Sequence, residues 1–438
     1  MTQQGALTIV TDIKPGKTEE ICQLIARMVE EDVEKNPSIP FGQISTIHFA
    51  RFVVLQSHNG KNDQLAFSTD YDKPLNNHLL QLLKFGKRGL HDLYSRCSGY
   101  PEETAPGDEG LIQYLMQHAI PYEAFYIGTR GRSVVQIQQE AALREEIERY
   151  LDSQQANGHF TSLTPQQIRE NIQQHIHSKP QFKELLALGD TLPPNNTGRL
   201  IFQASLVVVS GIAVLIALGF VHVLIPLALV ALLVGGVAWY LRTLRKKEKT
   251  DTFVRPAPNP ETVKRLAAQE DKIVQNQLTH LVRIKPGKFR FKTLKATLGL
   301  SNYLARVLFT QGKLLGIPSI HFARWVMIDD KKQLLFFSNF DGSWENYLGD
   351  FIDKAAPGLN GVWANTENYP KSSYLFGGGA TDEQNFKNWA RLQQLPTDLW
   401  YSAYKFLTVE NINNNTAIRQ GLVGDMNARQ VRDWLRKL

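Results

Sequence analysis

The heptapeptide IHFARFV at residues 47–53 returns as IHFARWV at residues 320–326. Further matches flank it in the same order along the chain, residues 7–17 with 278–288 and residues 89–101 with 358–370. Collinear self-similarity of this kind is typical of a duplicated unit. The sequence therefore predicts two copies of one unit, over residues 1–190 and 271–438.

Apolar periodicity and turn residues predict the order β-α-β-β-α-β within one copy. The predicted elements of the first copy are a strand at Gly5–Asp12, a helix at Thr18–Val33, strands at Thr46–Leu55 and Gln64–Thr69, a helix at Leu75–Leu83, a strand at Tyr122–Gly128 and a charged helix at Val134–Leu151. This is the ferredoxin-like order. The predicted fold class is therefore α+β, with two duplicated ferredoxin-like units that carry extra helices.

Between the copies lies an apolar stretch without Asp, Glu, Lys or Arg, IFQASLVVVSGIAVLIALGFVHVLIPLALVALLVGGVAWYL, at residues 201–241. As one helix it would measure about 60 Å, which is about twice the hydrocarbon thickness of a bilayer. Two spans with a turn near Gly219–His222 fit better, so residues 200–241 are predicted to form a transmembrane helical hairpin. A hairpin that enters only one leaflet and a hairpin buried in a large soluble protein are the alternatives.

The charges that flank this stretch predict where the protein lies. Arg199 precedes it, and a cluster of Lys and Arg follows it in a predicted charged, Pro-containing linker at 242–270. The positive-inside rule then predicts an integral membrane protein with both soluble units facing the cytoplasm. The two cysteines, Cys22 and Cys97, suit a reducing compartment and exclude a CxxC metal site. A net charge of +7 is too mild to indicate a nucleic-acid partner.

A tandem pair of such units resembles the dimeric α+β-barrel superfamily, which includes dye-decolourising peroxidases, chlorite dismutases and small cofactor-poor monooxygenases. The resemblance lies in element order and duplication and covers both soluble units. It implies two facing sheets with helices outside and, in the haem-binding members, a cavity with a proximal His and a distal Arg or Asp. The Gly-x-x-Asp-Gly motif of the peroxidases is matched only in part here, by Ser338–Gly342.

The candidate catalytic residues are His48, Arg51 and Asp72 in the first unit and His321, Arg324 and Asp341 in the second. Side chains alternate along a flat strand, so the His and the Arg of one strand are predicted to face opposite sides. A buried Arg needs a carboxylate or an anionic ligand. We therefore predict the pairs Arg51–Asp72 and Arg324–Asp341. The alternative is a cavity in which Arg meets a haem propionate, a fatty carboxylate or a phosphate.

These features predict a membrane-anchored oxidoreductase, peroxidase- or monooxygenase-like, that acts on a lipophilic substrate and has haem as a candidate cofactor. The anchor, the resemblance and the Trp-rich second unit support this hypothesis. The alternative is a non-enzymatic module that binds lipid or a partner at the membrane surface. The spacing of His, Cys, Asp and Glu predicts neither a metal site nor a hydrolase triad.

Overall fold

The computed structural model describes residues 3–57, 61–101, 107–156, 163–189, 197–221, 224–255, 257–310 and 312–438. These residues form a mixed α+β fold whose strands pair antiparallel. The strands are β1 (Gln4–Asp12), β2 (Ile47–Leu55), β3 (Gln64–Asp72), β4 (Tyr122–Ile127), β5 (Gln275–Arg283), β6 (Ile320–Ile328), β7 (Gln333–Asp341), β8 (Ser372–Ser373), β9 (Gly377–Gly378) and β10 (Leu399–Ser402). 

Fourteen α-helices connect and cover these strands within the described ranges. They are α1 (Thr18–Glu30), α2 (Leu75–Tyr94), α3 (Asp108–Gln117), α4 (Val134–Ala156), α5 (Pro165–His177), α6 (Lys183–Leu186), α7 (Thr197–Val221), α8 (Leu224–Thr250), α9 (Pro260–Ala267), α10 (Lys288–Val307), α11 (Trp344–Trp363), α12 (Glu383–Gln393), α13 (Val409–Val423) and α14 (Ala428–Leu435).

The strands and helices predicted for the first half are found, and most of their ends differ by no more than five residues. The exception is α2, which continues to Tyr94, eleven residues beyond its predicted end at Leu83. The turn before α1 uses Gly16 at a φ of 77°, a left-handed conformation that glycine adopts without strain. Ile21, Ile25 and Met28 then form the buried stripe of α1. The same order, strand, helix, two strands and helix, recurs in the second half from β5 to α11.

Each sheet takes three strands from one half of the chain and its fourth strand from the other half. Two self-contained units would each form a complete sheet from their own strands. One sheet has the order β1-β3-β2-β10 and the other has the order β4-β6-β7-β5. Before it reaches the opposite sheet, the chain bonds to its own half. The Ile120 amide donates to the Thr8 carbonyl (2.8 Å), and the Leu395 amide donates to the Thr279 carbonyl (2.9 Å). Each crossing segment therefore ties an edge of one sheet to an edge of the other.

The two sheets face each other across an apolar core. Its buried residues are Val10, Val53, Leu55 and Ala66 from the first sheet and Val326, Ile328, Leu335 and Phe337 from the second. The outer face of each sheet is covered by helices of its own half, where two larger cores form. Each sheet thus buries both faces, as expected for strands that are apolar on both sides.

Helices α7 and α8 project their apolar side chains outward. Both are long and apolar enough to cross a membrane, with windows of mean hydropathy 2.5 and 2.3 that are not buried. The predicted turn residue His222 lies outside the described residues. The predicted linker at 242–270 contains the last turns of α8 and all of α9, and Leu244 and Glu248 of α8 are buried against the second half.

Candidate functional site

Beta-bulges at His48 and at His321 orient the two candidate histidines. The register of β2 on β3 shifts between Ile47 and Phe49, and the register of β6 on β7 shifts between Ile320 and Phe322. A bulge places two residues opposite one and turns the strand locally. The rings of His48 and Phe49 accordingly both contact Phe322, at 5.2 and 5.8 Å between centroids. The prediction that His48 and Arg51 face opposite sides assumed a flat strand, which these strands are not.

Each histidine pairs with the aspartate at the end of the neighbouring strand. His48 Nε2 lies 3.0 Å from Asp72 Oδ1, and His321 Nε2 lies 2.7 Å from Asp341 Oδ1. The second carboxylate oxygen accepts from a helix N-terminus in both cases, from the Val134 amide (2.9 Å) and the Val409 amide (2.8 Å). A carboxylate is stabilised there because it satisfies an unpaired amide.

The predicted pairs Arg51–Asp72 and Arg324–Asp341 are wrong, because both arginines cross to the opposite sheet. Arg51 donates to the carbonyls of Leu278 and Ser338, each at 3.0 Å. The alternation of side chains along one strand predicts the sheet face on which a side chain lies. It does not predict which strand the side chain contacts on that face.

Arg324 makes the reciprocal contacts with the first half. It donates to the carbonyls of Leu7 (3.1 Å) and Thr69 (3.0 Å) and to the Ser68 hydroxyl. Its only ion pair within the described chain is with Asp70, at 3.6 Å.

Burial shifts the titration of this cross-sheet cluster. It lowers the pKa of Arg51 to about 9 and also lowers the pKa of Arg324, while it raises the pKa of Asp70. All three shifts favour neutral forms, so the charges are held at a desolvation cost that their hydrogen bonds offset. The two guanidinium groups also lie 5.0 and 5.6 Å from the Phe337 ring centroid. This arrangement locks the two sheets together.

The six candidate residues do not fit a haem site in this arrangement. Both ring nitrogens of His48 are engaged, since Nδ1 lies 2.9 Å from the Tyr404 hydroxyl. His321 Nδ1 has no partner within the described chain, but the residue is fully buried, with Phe49 and Tyr404 at 5.3 and 5.9 Å. None of the four cavities described for the molecule is lined by any of the six residues.

The most apolar of these cavities lies on the outer face of the second sheet. It has a volume of about 500 Å³, within the range of roughly 300–1,000 Å³ that is typical of small-molecule sites. Its walls are β4 and β6, the facing sides of α10 and α11, the end of the apolar part of α8, and the loop between β8 and β9. Exposed apolar side chains surround its mouth, namely Leu241, Leu300, Leu315, Tyr374 and Phe376.

Small side chains on the facing helices leave this space open. On α10 they follow helical spacing, at Thr293, Ala296, Thr297, Ser301 and Ala305, and on α11 they are Ala355 and Gly358. The first half fills the equivalent region, because Ile39 is fully buried there and lies against Gly89, the counterpart of Gly358. At Gly358 the neighbour is Leu315, which is 39% exposed at the mouth of the cavity.

Buried Glu248, near the end of α8, holds one edge of the cavity. Its carboxylate accepts from the amides of Tyr374 (2.9 Å) and Leu375 (2.8 Å). Both residues have positive φ, 50° and 69°, a conformation that is unusual outside glycine and persists where the surroundings fix it. The loop that carries two aromatic side chains of the rim is thus fastened to the helix that leads into the apolar hairpin.

Comparisons of the chain with models of known protein families, with curated proteins and with solved structures gave no match.

Sequence reasoning missed the cavity and its lining residues. The stripe of small residues on α10 was a usable signal, since a core-facing helix normally carries large apolar side chains at such positions. Within the described residues no cluster of three or more His, Cys, Asp or Glu could hold a metal ion.

Proposed function

We propose that this protein is anchored in a membrane by α7 and α8 and binds a lipophilic molecule, taken from the bilayer, in the cavity between α10 and α11. The observation that carries the proposal is that the end of the apolar helix α8 forms part of the cavity wall. Tyr240 and Leu241, the last residues of the apolar stretch, line the cavity themselves. A molecule dissolved in the bilayer would therefore meet the apolar rim at the level where the span ends.

The position of the aromatic residues supports this placement. Trp239 is 65% exposed on α8, and Tyr374 and Phe376 are each 53% exposed on the neighbouring loop. The amphipathic rings of Trp and Tyr favour the boundary between lipid and water, and Phe376 adds an apolar ring beside them. The basic residues that follow Leu241 on α8 would then lie at the headgroups, where anionic lipid attracts them.

For the architecture we propose two copies of one ferredoxin-like unit, joined by a transmembrane hairpin, that resemble the dimeric α+β-barrel superfamily and face the cytoplasm. The matched contacts His48–Asp72–Val134 and His321–Asp341–Val409 support common descent of the halves. The Lys and Arg residues in the last turns of α8, after its apolar part, support the orientation. An oxidoreductase activity on the bound lipophile stays a prediction of that resemblance.

The test is binding of the neutral fluorescent probe N-phenyl-1-naphthylamine to the full chain in detergent micelles, with empty micelles as the blank. Ser301→Phe fills the cavity from α10, and we expect it to weaken binding at least about tenfold, since the ring occupies the space of the ligand. Gly299→Phe is the matched control, because a side chain there meets nothing within 4 Å and lines none of the described cavities. Equal binding by the two folded variants would refute the proposal.

A further inference from the structure

Polar groups without partners gather at one end of the apolar cavity. Tyr126 lines the cavity and is 1% exposed, yet its hydroxyl has no hydrogen-bond partner within the described chain. Buried hydroxyls are normally bonded, so an unpaired one in a cavity wall is free to pair with a bound ligand or a water. Burial raises the pKa of Tyr126, so its hydroxyl is a hydrogen-bond donor at neutral pH.

Arg130 does not line the cavity itself, but it reaches the cavity residue Ala305 near Tyr126. One of its Nη atoms donates to the carbonyl of Ala305, another cavity residue, at 3.3 Å, while its buried Nε has no partner within the described chain. No carboxylate of the described residues forms an ion pair with Arg130. The one acidic residue of β4, Glu123, instead pairs with Lys295 at 3.3 Å.

A second cation adds to the positive charge there. Arg306 follows Ala305 in the last turn of α10, and its Nη2 lies 3.5 Å from the Tyr122 hydroxyl. It also forms no ion pair within the described ranges. Burial lowers the pKa of Arg130, and the charge of Arg306 acts in the same direction. Arg306 is exposed, so the two like charges lie where this end of the cavity meets solvent, and they favour an anion between or next to them.

From this juxtaposition we infer that the cavity takes an amphiphile with a single anionic head, a long-chain carboxylate, whose head lies at Tyr126 and Arg130 and whose chain lies between α10 and α11. This inference rests on the proposed function and names its ligand class. A charged acceptor suits both free donors, because guanidinium–carboxylate hydrogen bonds are the strongest that these side chains make. The rest of the lining is mostly apolar and suits the chain.

The backbone around Arg130 is fixed before any ligand arrives. The Gly128 amide donates to the His321 carbonyl (2.7 Å), and the Gly131 amide donates to the Gln4 side chain (3.1 Å). A site held in this way loses little conformational entropy on binding. The purely structural alternative is that Arg130 only satisfies a carbonyl at the end of α10, as cations often do there.

The experiment displaces N-phenyl-1-naphthylamine from the full chain in micelles, with palmitate or with its neutral analogue hexadecanol, in a buffer alkaline enough to ionise the carboxylate. Wild type should prefer palmitate by about tenfold or more, the usual effect of a charged hydrogen bond. Arg130→Gln should abolish that preference and leave displacement by hexadecanol unchanged. Arg88→Gln, an exposed charge on α2, is the matched control and should behave as wild type.

The outcomes separate this inference from the proposed function. If the probe and hexadecanol bind but palmitate has no advantage, the anionic head is refuted and the lipophilic cavity stands. If Arg130→Gln weakens palmitate and hexadecanol equally and also lowers the melting temperature, the arginine is structural and the inference fails. If neither the probe nor either competitor binds wild type, both the proposed function and this inference fail.

Discussion

Removing the guanidinium of Arg324 should destabilise the protein through Asp70 and not through Asp341. Arg324→Met deletes hydrogen bonds to three buried acceptors and the ion pair with Asp70 at 3.6 Å. Breaking a buried pair in this way typically costs about 3–5 kcal/mol. Burial already raises the pKa of Asp70, so the loss of a nearby cation makes its ionised form still more costly.

A double-mutant cycle measures this coupling. In the Arg324→Met background, Asp70→Asn should recover about 1–3 kcal/mol, the usual size of coupling between contacting residues. Asp341→Asn should recover nothing, because that carboxylate serves His321 and the N-terminus of α13. The assay is urea unfolding of the full chain in micelles, followed by tryptophan fluorescence. Recovery by Asp341→Asn and none by Asp70→Asn would refute the cross-sheet arrangement.

Three further predictions concern acid stability, the strand exchange and topology. Burial lowers the pKa of His78 to about 3, so between about pH 6.5 and 3 only the unfolded chain binds its proton, and stability falls as the pH drops through this window. His78→Gln should reduce the slope of the unfolding free energy against pH by up to about 1.4 kcal/mol per pH unit in urea titrations, and equal slopes for the variant and wild type would contradict this. Gly128→Ala places a methyl group 2.0 Å from the Ile320 carbonyl and should lower the melting temperature by several degrees or prevent folding. Gly349→Ala, where the added methyl group meets open space, should leave the melting temperature unchanged, and equal melting temperatures for the two variants would count against the contact between β4 and β6. Cysteines introduced at exposed Ser153 and Lys437 should be labelled by an impermeant maleimide only from the cytoplasmic side, and labelling of the two from opposite sides would mean a single span.

Much of the fold could be predicted because its signals are local. The stripe at Ile21, Ile25 and Met28 identifies α1, and the uncharged stretch at 201–241 identifies the two apolar helices. The strand exchange could not be predicted in this way. β4 can pair with its own half or with the other, and a duplicated sequence presents nearly the same partner, IHFARFV or IHFARWV, in both. The sheet edge on which β4 pairs depends on contacts between residues about 200 positions apart, and the periodicity of the sequence does not report on such contacts.

The candidate site illustrates a second limit. The sequence predicted Asp72 and Asp341 as partners of the arginines. A bulge at each histidine and the facing of the two sheets instead give both aspartates to the histidines. The cavity was harder still to predict, since it consists of missing volume. Ser301 and Gly358 are unremarkable alone, and they matter only because both line the space between α10 and α11.

The strand exchange also explains why the cavity is a property of the whole chain. Tyr126 and Arg130 come from the first half, the helical walls come from the second, and Leu241 comes from the hairpin. Both sheets are covered by helices, and the apolar cavity lies on the sheet next to the apolar hairpin. The first half contributes β4 with Tyr126 to the cavity, while the second half contributes the helical walls. The proposed binding site, with its apolar body and charged end, would therefore need residues of both halves and of the hairpin.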